Sequence, residues 1–205
     1  FDDLSKVWQK CLSGHLRKVT AGQTPVLNWA DPVDTIAEAE AFLHDASDGE
    51  VSEHERERKF ESLLRKMLSS GQNLHHPRYI GHQVPASNPI AGLFDAVGSL
   101  TNQPMAIYEM GPWATAVEHA VTRSLCRKVG WNPDASCGVL THGGSLANLT
   151  ALLTARNVVF PDSWEQGLPQ NAVLVAHADS HYCITRSAGI LGLGTRQLVK
   201  AALDE

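Results

Sequence analysis

Cysteine is scarce and scattered in this chain: four in 205 residues, at positions 11, 126, 137 and 183, with no Cys-x-x-Cys pair. That spacing argues against a disulfide framework and against a structural zinc site, and a reducing cytoplasm is the expected compartment. No apolar run reaches the length of about eighteen residues that a membrane-spanning helix needs. The net charge is −5 and no basic stripe occurs, which argues against a nucleic-acid partner. Two common nucleotide motifs are also missing, since there is no Gly-x-Gly-x-x-Gly and no Gly-Lys-Ser/Thr. No signal-peptide pattern is seen either, although the chain opens on Phe1 and not on Met, so an upstream segment is expected to have been removed.

The first hundred residues read as helices and loops. Phe1, Leu4, Val7 or Trp8, Cys11 and Leu12 recur at helical spacing. Asp31-Pro32-Val33-Asp34 is a helix start, with an Asp cap and a Pro in the first turn. Residues 53–70 hold the densest charge, with Glu55–Lys59 and Glu61–Arg65 at the spacing that supports a helix, and Gly71 as a stop. That charge run reads as a solvated helix face. The segment Asn73 to Pro85 is polar and aperiodic, as loops with a task often are. Asn88-Pro89 opens an apolar helix through Leu100, and another runs from Trp113 to Val129, with Gly130 closing it.

From Cys137 the pattern alternates: strand 137–141, helix 145–158, strand 172–177, helix 181–190 and strand 196–201. Alternation of this kind implies an α/β domain with a parallel sheet, whose ligands sit beyond the carboxyl ends of the strands. Two marked motifs fall at such ends. Thr141-His-Gly-Gly-Ser-Leu-Ala-Asn148 leads an apolar strand straight into a helix, a geometry in which backbone N–H groups can cradle a phosphate. A Gly-Gly-Ser turn is as readily a plain tight connection, so by itself it decides little. The second motif is His177-Ala-Asp-Ser-His181. Its histidines have the spacing of a helical zinc pair, yet Ala178 stands where a His-Glu-x-x-His protease needs its glutamate, and no metal is expected.

Together these pieces resemble the group II pyridoxal-5′-phosphate (PLP) dependent amino-acid decarboxylases, the family of the glutamate, aromatic-amino-acid and diaminobutyrate enzymes. The likeness covers residues 73 to 200. His76-Pro77-Arg78-Tyr79 resembles the start of the family's substrate loop, and Tyr108-Glu-Met-Gly-Pro112 followed by Glu118 resembles the segment before its first large-domain helix. Thr141 to Asn148 resembles its phosphate turn, with His142 where proline or glycine is commoner, and Asp179-Ser-His181 resembles the motif whose histidine stacks on the cofactor ring.

The resemblance implies a fold type I, PLP-dependent transferase-like α/β protein. Residues 1–100 would be an N-terminal helical segment for dimerisation and wrapping, with a substrate loop at 73–88. Residues 101–205 would be the first part of the large, mostly parallel-sheet cofactor domain. It also implies that Gly143, Gly144 and Ser145 hold the PLP phosphate, that His181 stacks on the ring in a catalytic role, and that His82 and Gln83 contact an amino-acid substrate. Loop capping is the competing role for those two. The expected whole protein is a homodimeric, cytoplasmic carboxy-lyase that converts an L-amino acid to an amine and CO₂; the His-Pro-Arg-Tyr-Ile-Gly-His-Gln variant leans toward the glutamate or diaminobutyrate branches. The family's Schiff-base lysine and its pyridine-nitrogen aspartate lie beyond the stacking histidine, and Lys200 lacks the matching context. The chain alone is therefore expected to be an inactive N-terminal piece. The alternatives are another fold type I lyase and a non-catalytic dimerisation or binding module.

Overall fold

The computed structural model describes residues 1–44, 51–81 and 83–202. The chain divides into two compact units, Phe1–Asn102 and Gln103–Glu205.

The first unit is helical. Helix α1 (Asp2–Thr20) has acids in its first turn and Arg17 and Lys18 in its last, as the helix dipole favours. Helix α2 (Pro32–His44) starts where Asp31 Oδ1 accepts the Val33 N–H at 2.9 Å. Helix α3 (Glu53–Ser69) is capped by Ser52, whose Oγ accepts the Glu55 N–H at 3.3 Å. The anticipated Glu55–Lys59 pair forms at 3.5 Å, and Arg65 Nε donates to Glu61 Oε1 at 2.9 Å. Helices α1 and α3 pack together, burying Val7 and Cys11. Helix α4 (Pro89–Thr101) begins at Asn88, whose Oδ1 accepts the Ile90 N–H at 3.1 Å.

The second unit holds α5 (Pro112–Lys128), α6 (Gly144–Val159), the single turn α7 (Ser163–Gln166), β1 (Leu174–His177), α8 (Cys183–Ile190) and β2 (Leu198–Ala201). β1 and β2 pair in parallel, Leu174 opposite Leu198 through His177 opposite Ala201, and the Ala178 N–H extends the ladder to Ala201 O at 2.9 Å. The crossover between them carries α8, which packs on α6. Cys183, Ala188 and Leu191 are the buried apolar groups of this layer. Among the described residues no helix is long and apolar enough to cross a membrane.

Two expectations need correction. Residues 137–141 form no strand, because among the described residues no segment pairs with them, and a strand exists only through its partner's hydrogen bonds. His181 lies in the turn before α8, which begins at Cys183. A further feature departs from simple periodicity. The apolar stripe of α5 is open, with Trp113 78% and Leu125 50% exposed, while its flank buries Thr122 and Cys126.

Candidate cofactor site

The turn from Thr141 to Ser145 is shaped by Gly143, which adopts φ 85°, ψ 157°, a conformation essentially restricted to glycine. Its N–H returns to Thr141 O at 3.0 Å, and the Thr141 hydroxyl donates to Gly143 O at 3.2 Å. The chain thereby enters α6 with no side-chain cap on the helix start. The N–H groups of Gly144, Ser145 and Leu146 are first-turn donors without intrahelical acceptors. A Cβ built on either Gly143 or Gly144 would meet nothing within 4 Å, so the approach is open. Three outward N–H groups, a positive helix end and the exposed Ser145 hydroxyl make a donor set for a phosphate.

His181 stands at the head of α8. Its Nδ1 accepts the Cys183 N–H at 3.2 Å, so the neutral ring assigned from that bond carries its proton on Nε2. The imidazole lies 4.1 Å from the Tyr182 ring at an interplanar angle of 36°. His177 is held the same way one turn earlier, its Nδ1 accepting the Asp179 N–H at 3.2 Å.

The two helix starts are tied together. Asn148, one turn into α6, donates from Nδ2 to Cys183 Sγ at 3.2 Å, and Cys183 is two residues past His181. The expected phosphate residues and the expected stacking residue are thus joined through the first turns of α6 and α8. Asn148 has no role assigned by sequence reasoning. The signal was its place one helical turn beyond Gly144, which puts it on the face of α6 that meets α8.

A second link fixes the approach to the turn. The Leu140 N–H donates to Glu118 Oε1 on α5 at 2.8 Å. Gly138 lies so close to α5 that a Cβ there would come within 3.0 Å of Thr122 Cβ. Upstream, Arg123 Nη1 donates to Pro133 O at 2.8 Å and pairs with Asp134. The hydrogen bond from Arg123, aided by its charge, holds the Asp134 carboxyl below its ordinary value.

Of the remaining expected residues, Gln83 belongs to the first unit, exposed and at φ 45°. His82 lies outside the described residues. The loop 73–88 is anchored by Asn73, whose Nδ2 donates to Pro25 O at 2.7 Å, and by His75, whose ring Nε2 donates to Ser87 O at 2.9 Å. His76 of the His-Pro-Arg-Tyr segment is buried, and its Nδ1 accepts the Arg78 N–H at 3.0 Å. It shapes the turn from inside.

The family model described as the pyridoxal-dependent decarboxylase conserved domain matches residues 44–202. The chain belongs to the pyridoxal-dependent decarboxylase family, whose cofactor is pyridoxal 5′-phosphate. Among solved structures it is similar to mouse CSAD, with TM-score 0.84 and 25% identity over 100% of this chain and 42% of that one. The apo form of mouse CSAD gives TM-score 0.79 and 24% identity over 98% of this chain and 42% of that one. The glutamate decarboxylase domain of a diaminobutyrate-pyruvate transaminase and L-2,4-diaminobutyrate decarboxylase from Vibrio parahaemolyticus gives TM-score 0.81 and 21% identity, covering 100% of this chain and 44% of that one. The chain spans less than half the length of these structures, and its fold matches the N-terminal part of a fold type I PLP decarboxylase.

Proposed function

We propose that the protein to which this chain contributes removes CO₂ from an L-amino acid, with pyridoxal 5′-phosphate held by the turn at Gly143, Gly144 and Ser145. The carrying observation is the start of α6: an uncapped helix end, entered through a glycine-only conformation and open to approach. The bound cofactor supplies a ring that accepts the electron pair left when the carboxylate departs.

The chain's own groups bind and orient. The first-turn N–H groups of α6 and the Ser145 hydroxyl donate to the phosphate. His181 holds the ring flat by stacking, in the orientation its Cys183 N–H bond sets. Gln83 and His82 contact the substrate from the 73–88 loop. Residues 1–100 serve dimerisation and wrapping, and 101–205 form the first part of the cofactor domain. A homodimer is the assembly that the family resemblance implies. A cytoplasmic setting is supported by the free thiols of Cys11, Cys126, Cys137 and Cys183. The substrate is an acidic or diamino acid such as glutamate or 2,4-diaminobutyrate, in keeping with the loop His-Pro-Arg-Tyr-Ile-Gly-His-Gln. The 205-residue polypeptide by itself is inactive, since none of its lysines stands in the Schiff-base pattern.

A screen of the native-length protein against the common amino acids, with CO₂ release measured with and without added cofactor, tests this reading. Cofactor-dependent release from glutamate or 2,4-diaminobutyrate is expected, and none from the purified 205-residue polypeptide. Failure of every amino acid with the native-length protein would sink the decarboxylase assignment. Turnover by the short polypeptide would overturn its inactivity.

A further inference from the structure

The segment 137–141 delivers the chain to the phosphate turn, yet it has no strand neighbour among the described residues. Two contacts set it against α5. Glu118 and Thr122 lie one turn apart on the same face of that helix. A Cβ at Gly138 would lie 3.0 Å from Thr122 Cβ, tighter than most such contacts, and Glu118 takes the Leu140 N–H at 2.8 Å. Among the described residues this is the one hydrogen bond donated by a backbone N–H of residues 137–141. Leu140 precedes Gly143 by three residues, so rotation of the backbone there swings the turn and the N–H groups behind it. Glu118 is half-buried and forms no ion pair among the described residues, which leaves its carboxylate free to accept that N–H. A carboxylate acceptor makes a stronger bond than a neutral one.

We infer that Glu118 is a positioning residue for the phosphate turn, fixing residues 138–141 on α5 so that the start of α6 is preset before any ligand arrives. The inference rests on the cofactor reading above, and it concerns a residue that touches neither phosphate nor ring. Glu118→Met keeps length and helix propensity but removes the acceptor, whereas Glu118→Gln retains a carbonyl acceptor without the charge.

In the native-length protein, hydrogen–deuterium exchange of the 137–145 segment is compared with the affinities for pyridoxal 5′-phosphate and for pyridoxal, which lacks the phosphate. Glu118→Met is expected to speed exchange across that segment. It should weaken binding of the phosphorylated cofactor roughly tenfold, with a much smaller effect on pyridoxal. Glu118→Gln should restore both readouts to within about threefold of wild type, since it keeps an acceptor. Wild-type exchange and affinity in Glu118→Met overturn the inference, and so does equal impairment of the two variants. Should Glu118→Met fail to fold, Glu118→Ala is read in its place: faster exchange at Leu140 sustains the inference, and wild-type exchange there overturns it. If the wild-type protein binds no cofactor while Glu118→Met still loosens the segment, the cofactor reading falls and the hold of Glu118 on the turn stands.

Discussion

Two apolar segments of the second unit lead into helices, and they are held in different ways. Residues 174–177 are a strand because 198–201 lie beside them in the same chain, sharing a parallel ladder. Residues 137–141 have a comparable apolar pattern and run to a comparable turn, but among the described residues they have no ladder partner, and a side chain on α5 takes the Leu140 N–H. A ladder spreads its support over several peptide groups, so losing one bond changes little. The Glu118 carboxylate acts at one peptide group, so its hold is a point contact beside the backbone shape of Gly143. Sheet membership is therefore a relation between segments.

The sharpest way to break this comparison is Gly143→Ala. A side chain at φ 85°, ψ 157° is expected to cost about 1–3 kcal/mol of stability, read by urea unfolding. The neighbouring Gly144→Ala, with open space around its Cβ, is expected to change stability by less than about 0.5 kcal/mol while weakening phosphate binding. Equal stability of Gly143→Ala and wild type would mean the turn is not held by that conformation. On the second turn, His181→Ala removes a ring face without touching the ladder. Cofactor affinity in the native-length protein should fall by a few-fold to about tenfold and decarboxylation should slow, with a small loss of melting temperature from the Cys183 N–H left without its acceptor. Unaltered binding and kinetics would take His181 out of the site.

The smallest effect concerns Asp134, upstream of the first turn. Its carboxyl titrates lower in the folded chain than in the unfolded one because Arg123 bonds to it. The contribution to stability is therefore complete above the unfolded value and is lost as pH falls through the folded value, below about pH 4. Melting curves followed from pH 5 downward should show a slightly shallower acid loss in Asp134→Asn than in wild type. An identical acid profile would remove this pair from the account.

Much of the local structure was legible in the residues. Asp31 and Asn88 announce helix starts because a short polar side chain satisfies first-turn N–H groups. Gly143 and Gly144 mark the turn because only glycine frees the backbone there, and the order of motifs carried the family likeness. The sequence by itself determined the helices, the parallel α/β pattern and the chemistry of a phosphate-binding helix start, all of which depend on near neighbours along the chain. Only the tertiary structure decided that the Leu140 N–H would meet Glu118 and that Asn148 would join the two helix starts through Cys183. Those outcomes depend on which distant groups meet. No spacing within a segment encodes that, because a hydrogen bond between residues 22 or 35 positions apart is set by packing.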